Sequence, residues 1–512
     1  MDHALAAQED GASVGELVLG ADDVGDRFEL PQKLYGRGAE RDELLAAFDR
    51  VANGARELFL VSGTSGIGKS ALVHEVHRPI LERRGTFIEG KFDQFRRDLP
   101  YASLIQAFRE IVGQLLSEPP ASLSAWRQRI QDAVGVNGQV IVDVIAEVEL
   151  VLGPQPAVAE LPPAEAHNRF HHVFEAFART FAAAEHPLVL FLDDLQWADP
   201  PSLQLLSRLL TDERMTHVLV LGAYRDNEVS DGHPLLLTLD RIRRQGTPIQ
   251  TIHLQPLGLT DVADLLADAL HQSPAAVAGF ARTCRQRTAG NPFFLSQFLL
   301  ALCERQAICF DPTRREWTWD EAAIAASGIT DNVVDLMAAK IRTLSDGGQD
   351  AIIGAALLGA SFDLATLAIA LQCSPAAAAA QLMAALSEGL IVPRSGEWML
   401  VRGALDDQDG EGAVEAPERI HYRFLHDRVQ QAAASLLSDE ARAARQLTIG
   451  RRLVAALDEG AQAERVFDIV AHYNAGRALL EGAAERRGLL HRNLLRESGP
   501  SLRPPTRPRC GC

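Results

Sequence analysis

Eight residues constrain this chain more than any other stretch: Gly63-Thr64-Ser65-Gly66-Ile67-Gly68-Lys69-Ser70. They follow a continuous apolar run at 58–61 and precede a segment of helical character at 71–84, so the glycines stand where a strand gives way to a helix. Gly63, Gly66 and Gly68 let backbone N–H groups turn inward around phosphate oxygens, and a helix N-terminus adds partial positive charge. In such a loop Lys69 reaches the β- and γ-phosphates of a nucleotide, and the Ser70 hydroxyl ligates Mg²⁺. The bland alternative is a glycine-rich turn, against which the flanking strand and helix weigh.

A phosphate loop needs a second source of carboxylate for the metal. Residues 190–194 read Leu-Phe-Leu-Asp-Asp, an apolar strand ending in two acids, where ligands of open sheets collect. Asp193 is the expected Mg²⁺ residue and Asp194 the expected base or water-positioner. Two adjacent carboxylates ending a buried strand are costly without a cation or hydrogen-bond partners.

Apolar runs at 58–61, 86–88, 188–192 and 218–221, with a fifth starting at Ile252, alternate with helical segments. That order predicts an α/β P-loop NTPase domain with a doubly wound parallel sheet over residues 33–257. Six prolines between 118 and 163 mark a lid or insertion. An α-helical domain is expected at 258–340, where Val262, Leu265, Leu266 and Leu270 share a helical stripe. Three helices and two strands, at 389–401 and 420–424, suggest a winged-helix-like domain at 341–425. Helical periodicity at 426–489 reads as the start of a helical repeat region. Residues 1–32 read as an acidic linker. Residues 490–512 form an irregular Arg/Pro/Cys-rich tail, either disordered or from a reading-frame shift, and the whole reads as a fragment or truncated relative of a longer protein.

Lys and Arg number 50 against 68 Asp and Glu, a net charge of −18, which argues against general polyanion binding. Between Thr343 and Pro393 there is no Lys or Arg, so the would-be recognition helix at 374–390 has nothing to meet DNA phosphates. Residues 351–371 are long enough to span a bilayer, but Gly359, Ser361 and Asp363 interrupt them, and two buried helices are expected instead. With no export signal visible and six cysteines (Cys284, Cys303, Cys309, Cys373, Cys510, Cys512) lacking paired spacing, free thiols in the cytoplasm are expected. His167, His171 and His172 read as a solvated helix face rather than a metal site.

The segments LYGR from Leu34, VSGTSGIGKSALVHEVHRPI, EGKFDQFRRDLPYASLIQAFR, LFLDDLQWADPPSLQLL, GAYRDNEV, GNPFFL and YRFLHDRVQQAA together resemble the nucleotide-binding region of STAND-type signalling ATPases, in the AAA branch of origin-recognition-like domains. The resemblance runs from about residue 33 to 489. It is strongest to the central region of large bacterial proteins that join a Ser/Thr kinase, this ATPase region and a sensor histidine kinase. It implies that Tyr35, Gly36 and Arg37 lie near adenine, that residues 63–70 are Walker A, and that Asp193 and Asp194 are Walker B. It also implies that Arg225 occupies the sensor-one position, that Pro292 packs on adenine, and that His426, with Asp427, holds ADP in a closed state. The residues alone also admit Arg225 as a surface ion pair and His426 as a buried structural histidine. Gly38 stands where the family has an acid, and Ala434 where it has an aromatic residue.

The resulting expectation is a regulatory ATP/ADP switch in signal transduction, with slow Mg²⁺-dependent hydrolysis and a protein partner reached through the helical repeats. A membrane partner is not expected. The alternatives are a ring-forming AAA motor, for which no arginine finger is identifiable, and a transcription regulator with a DNA-binding winged helix, which the charge pattern disfavours.

Overall fold

The protein is described by a computed structural model covering residues 28–93, 100–326, 332–394 and 420–480, with 482, 485–490 and 493. Its chain divides into two compact units. One holds the described residues up to Gly36 and from Pro256 to 326; the other holds those from Arg37 to Gln255 and from Asn332 onward.

The second unit begins with helix α1 (Gly38–Ala52), strand β1 (Arg56–Ser62), α2 (Lys69–Glu82) and β2 (Thr86–Lys91). It continues through α3 (Ala102–Leu115), α4 (Pro120–Val134), α5 (Gly138–Val142), α6 (Val148–Leu152) and α7 (Pro163–Arg179). Then come β3 (Leu188–Asp193), α8 (Pro200–Thr211), β4 (Val218–Tyr224), α9 (Pro234–Arg244) and β5 (Ile249–His253). The five strands form one parallel sheet, as the alternating pattern predicts, in the order β2-β3-β4-β1-β5; β5 ends just after Ile252 and does not start there. All six residues of β3 are buried, which is why its sequence is a continuous apolar run and not an alternation. The proline-rich stretch, expected as a lid or insertion, forms helices inserted between β2 and β3. Its prolines start helices, Pro119 and Pro120 at α4 and Pro162 and Pro163 at α7, and Ile130, Ile141 and Ile145 from the intervening segment are fully buried in the core beside Leu190 and Leu192.

The first unit contains α10 (Leu259–Leu270), α11 (Ala278–Thr288), α12 (Pro292–Glu304), a hairpin of β6 (Ile308–Asp311) and β7 (Glu316–Trp319), and α13 (Glu321–Ala326). The hairpin corrects the expectation of a purely helical segment. Phe310 faces Trp317 and Ile308 faces Trp319 in antiparallel register, while Arg315 takes a left-handed conformation in the turn. Four-residue strands offer too short an alternation for periodicity to reveal.

The second unit resumes with α14 (Val333–Arg342), α15 (Asp346–Leu358), β8 (Ser361–Asp363), α16 (Leu364–Leu371), α17 (Pro375–Ser387), β9 (Ile391–Pro393) and β10 (His421–Phe424). The strands form a small antiparallel sheet ordered β8-β10-β9. As expected, residues 351–371 split into two helices, with the Asp363 side chain capping α16 by accepting from the Thr366 N–H. Among the described residues no single helix is long and apolar enough to cross a membrane. The unit continues through α18 (Asp427–Ser435), α19 (Asp439–Ala456), α20 (Glu459–Glu464) and α21 (Val466–Ala475), with α19 packed on α21. Residues 395–401 of the expected strand, most of the acidic linker, Cys510 and Cys512, and nearly all of the irregular tail lie outside the described residues.

Candidate functional site

The parallel sheet presents β1 and β3 with their C-terminal ends on one edge, and the chemistry-bearing residues gather there. After β1 the chain turns through Gly63, Gly66 and Gly68, all at positive φ (145°, 79° and 100°). At Gly63 a Cβ would stand 3.0 Å from the Leu254 carbonyl oxygen, so both the backbone angle and the space demand glycine. Gly68 occupies the position before α2, and no side chain caps that helix, which leaves its N-terminus to the loop. Lys69 is buried, and its Nζ donates to the carbonyl oxygens of Gly63 and Thr64, each at 2.9 Å. Burial lowers the Lys69 pKa, against the opposing pull of Asp193 and Asp194. The loop thus holds its lysine folded back on its own carbonyls.

Ser70 Oγ donates to Asp193 Oδ2 at 3.0 Å, bringing the two expected metal ligands together. Asp194 follows in a left-handed conformation (φ 57°), unusual for a non-glycine residue, with its N–H bonded to Asp193 Oδ1 at 3.0 Å. A donor set of one hydroxyl and one carboxylate beside a phosphate loop is suited to a hard cation such as Mg²⁺.

Arg225 lies at the end of β4 and is 1% exposed, which excludes the reading of a surface ion pair. Its Nε is 3.4 Å from Asp194 Oδ1, one Nη 2.8 Å from Glu228 and the other 2.5 Å from Asp427 Oδ2. The guanidinium lies 4.6 Å from the Trp197 ring centroid, while the Arg225 backbone N–H donates to Gln196 Oε1 and Gln196 Nε2 donates in turn to Asp194.

Lys91 went unnoticed in the sequence. It closes β2 in register with Asp193, and its Nζ stands 3.4 Å from Asp193, 3.0 Å from Asp194 and 3.0 Å from Asp427. Burial by itself would lower the Lys91 pKa, but Asp427, then Asp193 and Asp194, raise it well above the ordinary value. The signal that could have exposed it is positional: a lysine ending the strand that pairs with an Asp-Asp strand.

The expected His-Asp pair divides its labour. His426 Nδ1 accepts the Arg428 N–H at 3.1 Å and so caps α18, leaving Nε2 as the ring's N–H in the neutral form. Burial lowers its pKa to about 4, against the pull of Asp427, so the ring is neutral at pH 7. Asp427 is the residue that reaches Lys91 and Arg225. Burial alone would raise its carboxyl; Lys91, His426 and Arg225 hold it well below the usual carboxylate range. For Asp194 burial and the neighbouring Asp193 prevail over Lys91 and Arg225, and its pKa is raised to about 7. Arg428 Nε is buried with no hydrogen-bond acceptor among the described residues, and burial followed by the nearby Arg225 lowers the guanidinium's pKa.

Arg37 is buried at the start of α1 and donates to the Gln255 carbonyl. Tyr35, Gly36 and Pro292 belong to the first unit. There the Tyr35 hydroxyl bonds Asp268 at 2.7 Å, Gly36 is at φ 62° with Asp261 where a Cβ would be, and Pro292 opens α12 behind an Asn291 cap. His171 is not on a solvated face: it is fully buried against the Tyr101 hydroxyl at 2.9 Å, with burial and His167 lowering its pKa to about 4. His167 and His172 are exposed.

Residues 33–221 match the family described as the AAA ATPase domain. The chain is 28% identical to hybrid signal transduction histidine kinase G of Dictyostelium discoideum over 86% of its own length and 15% of that protein's. It is 21% identical to histidine protein kinase 1 of Candida albicans over 35% of its length and 8% of that protein's. Among solved structures, a STAND protein with a tetratricopeptide repeat sensor from Pyrococcus horikoshii aligns with a TM-score of 0.41 and 12% identity, covering 90% of this chain and 50% of that one. The ORC1 protein of Aeropyrum pernix, in complex with DNA, aligns with a TM-score of 0.34 and 15% identity, covering 79% and 94%. Residues 33–221, which carry the glycine loop, the buried lysine and the paired acids, are thus similar to AAA ATPase domains.

Proposed function

We propose that this chain is an ADP/ATP conformational switch of a signalling protein, with slow Mg²⁺-dependent hydrolysis. The observation that carries it is Asp427. A carboxylate at the start of α18, far along the chain from the sheet, is held by Arg225 and Lys91 beside the Walker B acids. Residues 63–70 would cradle the phosphates, with Lys69 leaving the Gly63 and Thr64 carbonyls for the β- and γ-phosphate oxygens. Ser70 and Asp193 would hold Mg²⁺, which when bound supplies charge neutralisation and orientation of the phosphates. Asp194, whose carboxyl has a raised proton affinity, would orient or deprotonate water. The unsatisfied Arg428 Nε and the neutral His426 ring would offer further donors to phosphate oxygens. By resemblance, Tyr35, Gly36, Arg37 and Pro292 would serve the adenine end.

In this reading ADP favours the arrangement in which Asp427 keeps Arg225, and ATP favours release, because a γ-phosphate competes for the same guanidinium. The small sheet with α15, α16 and α17, proposed as a winged helix, would then act by packing. It carries no basic residue from Thr343 to Pro393, and Arg394 is spent on Glu89 at 3.8 Å. The proposed division of the chain remains 33–257, 258–340, 341–425 and 426–489, with the last offered to a protein partner.

The test is to denature the purified chain and identify any released nucleotide, then to measure ADP and ATP binding by Lys69→Ala. Bound ADP in the wild type and loss of both nucleotides in the variant are expected. Equal binding by wild type and Lys69→Ala would falsify the assignment of the site.

A further inference from the structure

Lys91 is a cation placed where a divalent ion would also exert its charge. The oxygen of Asp193 that accepts the Ser70 hydroxyl, Oδ2, is the one that faces Lys91 Nζ at 3.4 Å. The same ammonium holds Asp194 and Asp427 at 3.0 Å each. One positive charge therefore serves both the expected metal carboxylate and the carboxylate that anchors α18. Two further contacts tie the same end of the sheet to the small-sheet region: Asp93 accepts the Ala360 N–H at 2.8 Å, and Glu89 pairs with Arg394. Neither touches Asp193, so among the described residues only Lys91 connects metal ligand and anchor directly.

Resting on the nucleotide-site reading above, we propose that Lys91 couples metal occupancy to the docking of α18, by acting as a tethered counter-ion of Asp193 that must yield when a divalent cation takes that carboxylate. Like charges gathered on one carboxylate repel, so Lys91 moves off Asp193 and its hold on Asp194 and Asp427 is disturbed. Coupling between sites is reciprocal: docking of Asp427 on Lys91 must alter metal affinity by the same factor that metal alters docking. A lysine serving only to neutralise acids in a static core would show no such linkage.

The experiment uses the full chain loaded with ADP, stripped of metal, and titrated with Mn²⁺ while free Mn²⁺ is read by electron paramagnetic resonance. Trypsin cleavage in the His421–Ser435 region is followed in parallel. For the wild type, cleavage should increase as Mn²⁺ binds. Lys91→Met should bind Mn²⁺ roughly tenfold tighter, within the usual range of coupling, with cleavage already high and no longer metal-dependent. Lys91→Arg, which keeps the charge, should restore wild-type behaviour. Asp427→Asn leaves Lys91 to lean wholly on Asp193 and Asp194, so it should bind Mn²⁺ more weakly, and this arm does not depend on Lys91→Met folding. Unchanged Mn²⁺ affinity in ADP-loaded Lys91→Met or Asp427→Asn would overturn the role of Lys91 alone. A wild-type chain that takes up no nucleotide would overturn the site reading and this proposal with it.

Discussion

At the residue scale the site is a charge balance. Lys69, Lys91, Arg225 and Arg428 face Asp193, Asp194, Glu228 and Asp427, and burial decides how each pairing is weighted. Arg225 is the member with most to lose, because three carboxylates and an indole depend on it. Its replacement, Arg225→Ala, should cost about 3–5 kcal/mol, the range for breaking a buried ion pair by deleting one partner. Urea denaturation of the full chain would measure it, and a loss under 1 kcal/mol would show the cluster to be solvated.

Two residues titrate in opposite senses. His426 has its pKa lowered from 6.5 to about 4, so the unfolded chain takes up the proton first and stability declines as pH falls from about 6.5 toward 4. Asp194 has its pKa raised from 3.8 to about 7, so its contribution is full below 3.8 and is lost as pH rises through 7. His426→Gln should therefore flatten the acid-side loss, and Asp194→Asn should flatten the decline toward pH 7. Thermal melts between pH 4 and 8 would show this; variants with the wild-type slope would refute the burial argument.

At the element scale, β2 and β3 bring Lys91 and the Asp pair into register, and the glycines decide how closely other elements approach. A Cβ on Gly90 would come within 2.2 Å of the Ser103 carbonyl oxygen, so Gly90→Ala must push α3 off β2. Overpacking of this kind costs about 1–3 kcal/mol, measurable as a lower melting temperature. The strands β1, β3 and β4 and the loop between β1 and α2 were legible because parallel strands buried on both faces are continuous apolar runs and because a phosphate loop has fixed spacing. The β6–β7 hairpin was not, being too short to show a period. The proximity of Lys91, Arg225 and Asp427 was not legible either. It depends on sheet register and on a contact across 202 positions of sequence, neither of which local pattern encodes; only the resemblance pointed to the His-Asp pair, and the ion pairs of Asp427 with Arg225 and Lys91 come from the structure alone.

At the scale of the whole molecule, the ends of β2, β3 and β4 share one ionic junction with the start of α18, and the small three-stranded sheet adds separate contacts to Glu89 and Asp93. In the proposed switch that junction would carry the effect of nucleotide to α18, through competition of Asp427 and the γ-phosphate for Arg225. The most direct measurement is hydrogen exchange of the backbone amides of His421–Ser435, comparing the full chain saturated with Mg²⁺·ADP and with a Mg²⁺-bound, non-hydrolysable ATP analogue. Faster exchange in that segment with the ATP analogue, and unchanged protection in β1 and β3, is the expected result. Identical exchange in the two nucleotide states would contradict the switch.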